Sequence, residues 1–339
     1  MRSVVDSLPC TAPSTAAPGD HGRANFAMRC PVCLESIGNI DLADHSRTEK
    51  CKACDFILSS RGGIWRALAP AREKRFLRFM SEYQTLRAQE GRGSATADYY
   101  LGLPFVDRSG NNSWQWKVRA RSYGYVESTI LPVVERGSPR ALSVLDVGAG
   151  NCWMSYRLAL RGHNLVAVDL MDNEQDGLGS AKHYRDRLPR AFPCVQAEMD
   201  NLPFSPCQFD LAVFNASFHY SENYTRTMAE VLRCLQPNGN ILVIDSPFYS
   251  HDNDGRVMVE EKHSYFERKF GFRSDALPSE EYLTVEKVGE VARAFGLRKA
   301  IAKPWYGVRW ALRPWRARLG GKREPSKFWI AWFTAAVRE

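Results

Sequence analysis

From about residue 140 onward, short apolar runs alternate with stretches whose apolar positions recur every three or four residues. The runs ALSVLDVG, NLVAVDL, FPCVQAE, FDLAVFN and NILVIDSP have few polar interruptions. Strands covered on both faces need that pattern, so these segments predict five buried strands. Helical periodicity between them predicts an α/β fold with a doubly wound, mostly parallel sheet. TVEKVGEVARAFG predicts a helix with Thr284 as its N-cap and Gly296 just past its end. Upstream, residues 70–90 predict a charged amphipathic helix, with Phe76, Phe79, Met80 and Tyr83 at helical spacing. That stripe reads as core packing. GRGSATAD follows as a linker. The first 27 residues are rich in Ala, Pro, Ser and Thr and predict a disordered arm. They lack the apolar centre of a secretory signal. The expected organisation is an arm (1–27), a cysteine-bearing module (28–68), a helical connector and cap (69–139) and the α/β domain (140–339).

Composition changes this picture little. The chain has 339 residues, 44% of them apolar, which suffices for one large domain and an accessory one. No run approaches the roughly 18 apolar residues of a spanning helix. The net charge of +8 favours anionic partners without naming one.

The cysteines are more specific. Cys30 and Cys33 in CPVC, and Cys51 and Cys54 in CKAC, form two C-x-x-C pairs separated by 17 residues. Each pair makes a tight turn that can present two thiolates to one tetrahedral zinc. Redox dithiols are the alternative, but two pairs at this spacing favour a structural zinc ion with all four positions filled by sulfur. Reduced thiolates place the protein in the cytoplasm. Cys10, Cys152, Cys194, Cys207 and Cys234 are scattered and read mostly as small buried residues.

The glycine-rich turn in VLDVGAGNCW follows the first strand. Gly148 and Gly150 supply two glycines of a dinucleotide turn, but Trp153 stands where the third must let helix and strand pack closely. No Gly-Lys-Ser/Thr follows, which excludes a P-loop. Asp146, in the strand just before the glycines, would repel a pyrophosphate and welcome an ammonium. S-adenosylmethionine meets those conditions. Asp169, with Leu170 after it, ends the second strand roughly 20 residues on, where an acid can accept ribose hydroxyls. Glu198 could accept from an adenine amino group, with the Met199 backbone at the ring edge.

VLDVGAGNC, VAVDL, AEMDNLPF, FDLAVFNASFHY and LRCLQPNGNILVIDSP together resemble the successive motifs of class I S-adenosylmethionine-dependent methyltransferases. The resemblance covers about residues 140–303. It implies a Rossmann-like, seven-stranded sheet of order 3-2-1-4-5-7-6, its last strand antiparallel and supplied here by SKFWIAWFTAAV. It also implies cofactor contacts from Asp146, Gly148, Gly150, Asp169, Leu170, Glu198, Met199 and Asn215, the last beside the methyl group. The cysteine module resembles the zinc ribbons of small proteins that activate methyltransferases, and those that precede ribosomal RNA guanine methyltransferases.

The acceptor is less legible. The loop NASF (Asn215 to Phe218) lacks the prolines used for exocyclic-amine methylation of bases, and no Pro-Cys pair follows the fourth strand. His219 is placed to act as a general base, or else to orient its loop. Residues 247–283 are long for a strand-to-helix connection and predict a lid. Residues 304–326 carry Arg309, Arg313, Arg316, Arg318, Lys322 and Arg323 against the one acid Glu324, interleaved with Trp305, Tyr306, Trp310 and Trp315. This insert is expected to hang over the site. It could stack bases, lie on an anionic membrane, or form a solvated cationic face over a tryptophan core. The reading is a methyltransferase for a small-molecule or lipid-linked, anionic acceptor. A ribosomal or transfer RNA base is the alternative, and a non-catalytic binding module the further one.

Overall fold

The computed structural model describes residues 25–335. The described residues begin with a cysteine module: β1 (Asn25–Arg29), β2 (Ser36–Asp41), β3 (Thr48–Lys50), β4 (Ile57–Arg61) and β5 (Ile64–Arg66). Residues 1–24 of the expected arm lie outside the described residues. Residues 25–27 belong instead to β1, because Phe26 and Met28 are buried in the main core. The cap follows as α1 (Pro70–Gln89), α2 (Ala97–Gly102), α3 (Ser113–Tyr125) and α4 (Leu131–Arg136). Pro70 opens α1, where its missing N–H costs nothing.

The α/β part runs β6 (Ser143–Val147), α5 (Trp153–Leu160), β7 (Asn164–Asp169), β8 (Cys194–Gln196), β9 (Phe209–Asn215), α6 (Tyr224–Cys234), β10 (Leu235–Ile244), β11 (Phe248–Tyr249) and α7 (Asp252–Phe270). It ends with β12 (Leu283–Thr284), α8 (Val285–Ala294), β13 (Leu297–Ala302), α9 (Val308–Ala311), α10 (Arg313–Leu319) and β14 (Ile330–Ala335). Thr284 caps α8 as its sequence predicts, its hydroxyl accepting from the Lys287 N–H at 3.1 Å.

The sheet order is β13-β14-β10-β9-β6-β7-β8-β5-β4-β3. Its first seven strands have the expected class I order, with β14 antiparallel to both neighbours. The module adds the other three. β5 runs parallel to β8, pairing Trp65 with Val195 and Arg66 with Gln196. The module is therefore no separate bead. Trp65 is fully buried in the core that also holds Leu145, Val166 and Phe214, and its indole N–H donates to the Leu42 carbonyl at 2.9 Å. Arg29 adds a half-buried ion pair to Glu230 of α6 at 2.6 Å. An isolated 40-residue module buries little apolar surface, and annealing to the edge strand β8 supplies more.

No helix among the described residues is long and apolar enough to cross a membrane.

Candidate active site and metal cluster

The carboxyl ends of β6, β7, β8 and β9 open into a cleft of about 1000 Å³, measured with its open mouth. Ligands of open α/β sheets bind on this edge. Gly148, Gly150, Asp169, Leu170, Glu198, Met199 and Asn215 all line it. Gly148 has φ +72°, and a Cβ there would lie 2.3 Å from Ser217 Cβ. Only glycine permits that approach of the β6 turn to the end of β9.

Asp169 is oriented by its own backbone surroundings. The Gly150 N–H donates to Oδ2 and the Met171 N–H to Oδ1, both at 2.7 Å. Burial raises its pKa to about 6; the two amides pull the other way, and nearby Asp176 adds to the rise. Both carboxylate oxygens keep lone pairs for further donors. Asn215 is buried with Oδ1 lacking any partner.

Two expected residues sit elsewhere. Asp146 is fully buried and does not line the cleft; it accepts from the Ser155 hydroxyl at 2.6 Å and so anchors α5. Alternation along β6 explains this: Val147, the next residue, lines the cleft, and Asp146 turns to the opposite face, toward α5. Burial pushes its pKa up to about 7, and its Oδ1 has no partner. His219 also stays outside the cleft lining. The turn after β9 directs its Nδ1 to Ser246 Oγ at 3.2 Å, and its carbonyl accepts from the Glu281 N–H at 3.1 Å. Burial pushes its pKa down to about 3, with Lys262 and Arg119 adding to the effect. This geometry fits the loop-orienting role and not contact with a reacting atom. Its ring lies against Tyr220, which does line the cleft.

The cap supplies what the sequence reading assigned to packing. Phe76, Phe79 and Tyr83 of α1 face the cleft. Arg72, near one end of α1, grips both oxygens of Glu198 through Nε at 2.8 and 3.0 Å. Arg87, fifteen residues on and so about 22 Å away along the helix, pairs with Asp176 beyond β7. α1 is thus strapped across the opening at both ends. Glu198 consequently carries an arginine that its motif does not foretell, though it keeps lone pairs toward the cleft. Arg119 of α3 also lines the cleft. It lies over the Trp116 ring at 4.9 Å and makes no hydrogen bond or ion pair among the described residues. Burial lowers its pKa to about 10, still far above neutrality. Nothing in the pattern around Arg119 marks it, since its neighbours are ordinary helix formers.

The segment 247–283 does lie beside the opening. Leu277 lines the cleft, and α7 places Lys262 and Phe266 in a smaller side chamber that shares Phe79, Tyr83, Arg87, Tyr220 and Leu277 with it. The insert 304–326 does not: none of its residues lines either cavity. Tyr306 instead hydrogen-bonds the buried Ser122 of α3 at 2.9 Å, tying the insert to the cap.

In the module, Cys30, Cys33, Cys51 and Cys54 hold their sulfurs within 4.8 Å of one another. Cys30 and Cys54 approach to 3.5 Å, as do Cys33 and Cys51. Sulfurs bound tetrahedrally at about 2.3 Å from one zinc would stand roughly 3.8 Å apart. The two knuckles repeat the same bonds: the Cys30 N–H donates to Glu35 and the Leu34 N–H to Cys30, as Cys51 does to Phe56 and Asp55 to Cys51. Leu34 and Asp55 both adopt positive φ.

Residues 145–243, β6 through β10, match the family described as a methyltransferase domain. The chain is 28% identical over 144 residues to the sterol 4-C-methyltransferase strm-1 of Caenorhabditis elegans, covering 42% of each. It is 25% identical over 135 residues to a malonyl-[acyl-carrier protein] O-methyltransferase of Buchnera aphidicola, covering 38% of this chain and 49% of that one. The chain thus spans less than half the length of these relatives. A Burkholderia thailandensis 1,6-didemethyltoxoflavin-N1-methyltransferase, solved with S-adenosylhomocysteine, aligns at 15% identity and a TM-score of 0.43, over 71% of this chain and 86% of that one.

Proposed function

We propose that this protein, whose residues 145–243 match a methyltransferase domain, is a class I enzyme that binds S-adenosylmethionine in the cleft and methylates a small-molecule or lipid-linked acceptor bearing negative charge. The observation that carries the reading is what the cleft offers and leaves unpaired. Asp169 lines it and makes no ion pair among the described residues, whereas Asp176, Glu198 and Glu222 are already held by Arg87, Arg72 and Arg75; a free carboxylate there opposes a pyrophosphate and suits a sulfonium or an ammonium. Asp169 would take the ribose hydroxyls, Met199 and Glu198 the adenine edge, and Gly148 and Gly150 the close backbone approach. The cofactor supplies an electrophilic methyl group. The chain's part is to hold the acceptor in line, with Asn215 Oδ1 free to accept from it, and to exclude water beneath Phe76, Phe79 and Tyr83.

Negative charge on the acceptor is supported by Arg119, a cleft cation that makes no ion pair among the described residues. A relative named for malonyl on acyl carrier protein and one named for a sterol agree with an acceptor other than nucleic acid. In the module, the four thiolates would hold a structural zinc ion with no open position.

Calorimetric titration with S-adenosylmethionine, then incubation of the protein with labelled cofactor and fractionated extract, tests the proposal. Binding followed by label in a small polar or lipid fraction is expected. Label in ribosomal or transfer RNA would refute the acceptor class. Absence of cofactor binding would favour a non-catalytic module.

A further inference from the structure

α9 and α10 run almost as one helix. The Leu312 N–H donates to Val308, Arg316 to Leu312 and Gly320 to Arg316, at 3.0, 3.0 and 3.1 Å. Val308, Leu312, Trp315 and Leu319 recur at spacings of four, three and four, so they share one face. That face points to solvent. Val308 is 66% exposed, Leu312 47%, Trp315 63% and Leu319 71%, with Trp305 just upstream at 67%. The opposite side packs inward: Trp310 lies against Trp114, Tyr306 and Phe328. A helix of a water-soluble surface has the reverse polarity.

Charge flanks this ridge. Arg309 and Arg316 lie on one side of it and Arg318 on the other by helical phase, with Lys322 just beyond the end. These four cations make no ion pair among the described residues, and residues 303–323 contain no Asp or Glu. By contrast Arg323 pairs with Glu261 and Arg313 stacks on Trp310.

We infer that this face is an interfacial docking surface for an anionic lipid membrane. An exposed apolar ridge with unpaired cations along its flanks matches a bilayer's headgroup boundary, where apolar side chains insert and cations meet acidic headgroups. Nucleic acid would use the cations and stack the tryptophans, but it has no use for Val308, Leu312 and Leu319. The surface is tied to the cleft through α3, whose Trp114 touches Trp310 and whose Arg119, about 7.5 Å further along the helix, lines the opening. The inference does not depend on cofactor binding.

Co-sedimentation of the full chain with phosphatidylcholine vesicles, with and without phosphatidylglycerol, tests it. Binding is expected only to the anionic vesicles. Arg309→Gln with Arg316→Gln should weaken it about thirtyfold. Trp315→Ser with Leu319→Ser should weaken it by about tenfold or more while leaving the melting temperature unchanged. Leu319→Ser alone, at an exposed helix end, serves should the double variant fail to fold. Failure of the wild-type chain to bind anionic vesicles overturns the inference, as does undiminished binding by the variants. So does a preference for single-stranded RNA that the arginine changes abolish and the Leu319 change spares.

Discussion

The pH dependence of cofactor affinity is the sharpest probe of the cleft, because Asp169 is built to titrate near 6. Its two carboxylate oxygens already accept from Gly150 and Met171. Only the ionised group has full capacity to accept two ribose hydroxyls as well. With a pKa of about 6, about nine-tenths of the carboxylate is ionised at pH 7 and about one-tenth at pH 5. If the ionised form alone binds, affinity for S-adenosylhomocysteine falls about tenfold between those two values. Asp169→Asn removes a charge-assisted acceptor, costing about 1.5–3 kcal/mol at pH 8, and should also flatten the profile. Calorimetry at constant ionic strength across this range measures both effects.

Two neighbours must be separated from Asp169. Asp176 is paired with Arg87. Asp146 is pushed up to about 7 but does not touch the cleft, so Asp146→Asn should leave the slope in place. A wild-type profile that is flat, or an Asp169→Asn profile that keeps the slope, refutes the assignment.

Other outcomes follow from the same geometry. Asp146 has a folded pKa above its unfolded value, so its contribution to stability is present below about pH 4 and lost as pH rises through about 7; melting temperature should fall over that interval, and Asp146→Asn should reduce the fall. Gly148→Ala places a Cβ against Ser217 at positive φ and should cost about 1–3 kcal/mol; adding Ser217→Gly should recover part of it in denaturant titrations, and no recovery would discount the clash. Metal analysis should find about one zinc ion per chain, lost when Cys30 and Cys33 become Ser together. Because β5 pairs with β8, that loss should also weaken cofactor binding, whereas a metal-free, fully folded wild type would refute the zinc site.

The α/β sheet was legible because buried parallel strands must be nearly continuous apolar runs, and the runs ending in Val147, Asp169, Asn215 and Ile244 have that form. The glycine turn was legible too, since positive φ at Gly148 and Gly150 leaves a mark that no other residue makes. The docking of the module was hidden. Residues 64–66, Ile-Trp-Arg, are too short to show a period, and what recruits them is the open edge of β8, a tertiary fact. Asp146 shows a different limit. It stands one residue before the end of β6, and the pattern of the run does not say whether Asp146 or Val147 takes the face that opens to the cleft.

The misplacement of the basic insert teaches most about reading charge. Its cations sit on a connection between strands that end near the ligand edge, which made the insert a natural cover for the site. Tyr306 decides otherwise by bonding to the buried Ser122 of α3, which in turn bonds Asp245 after β10, so that the insert is anchored between α3 and the end of β10 and none of it lines the cleft. Two cations line the cleft: Arg87, which is paired with Asp176, and Arg119, which has no ion pair among the described residues and is flanked in sequence by Lys117 and Arg121. Density of charge along a chain therefore does not separate the exposed cations of the insert from the half-buried, unpaired Arg119. The two can be told apart by substitution. Arg119→Met should raise the KM for a charged acceptor while leaving kcat and the affinity for S-adenosylhomocysteine within about threefold, the loss of one charge-assisted bond being about 1.5–3 kcal/mol. Arg309→Gln with Arg316→Gln should leave that KM, measured without membranes, unchanged. If the insert variant raised KM and Arg119→Met did not, the cleft geometry would be the wrong guide to the acceptor.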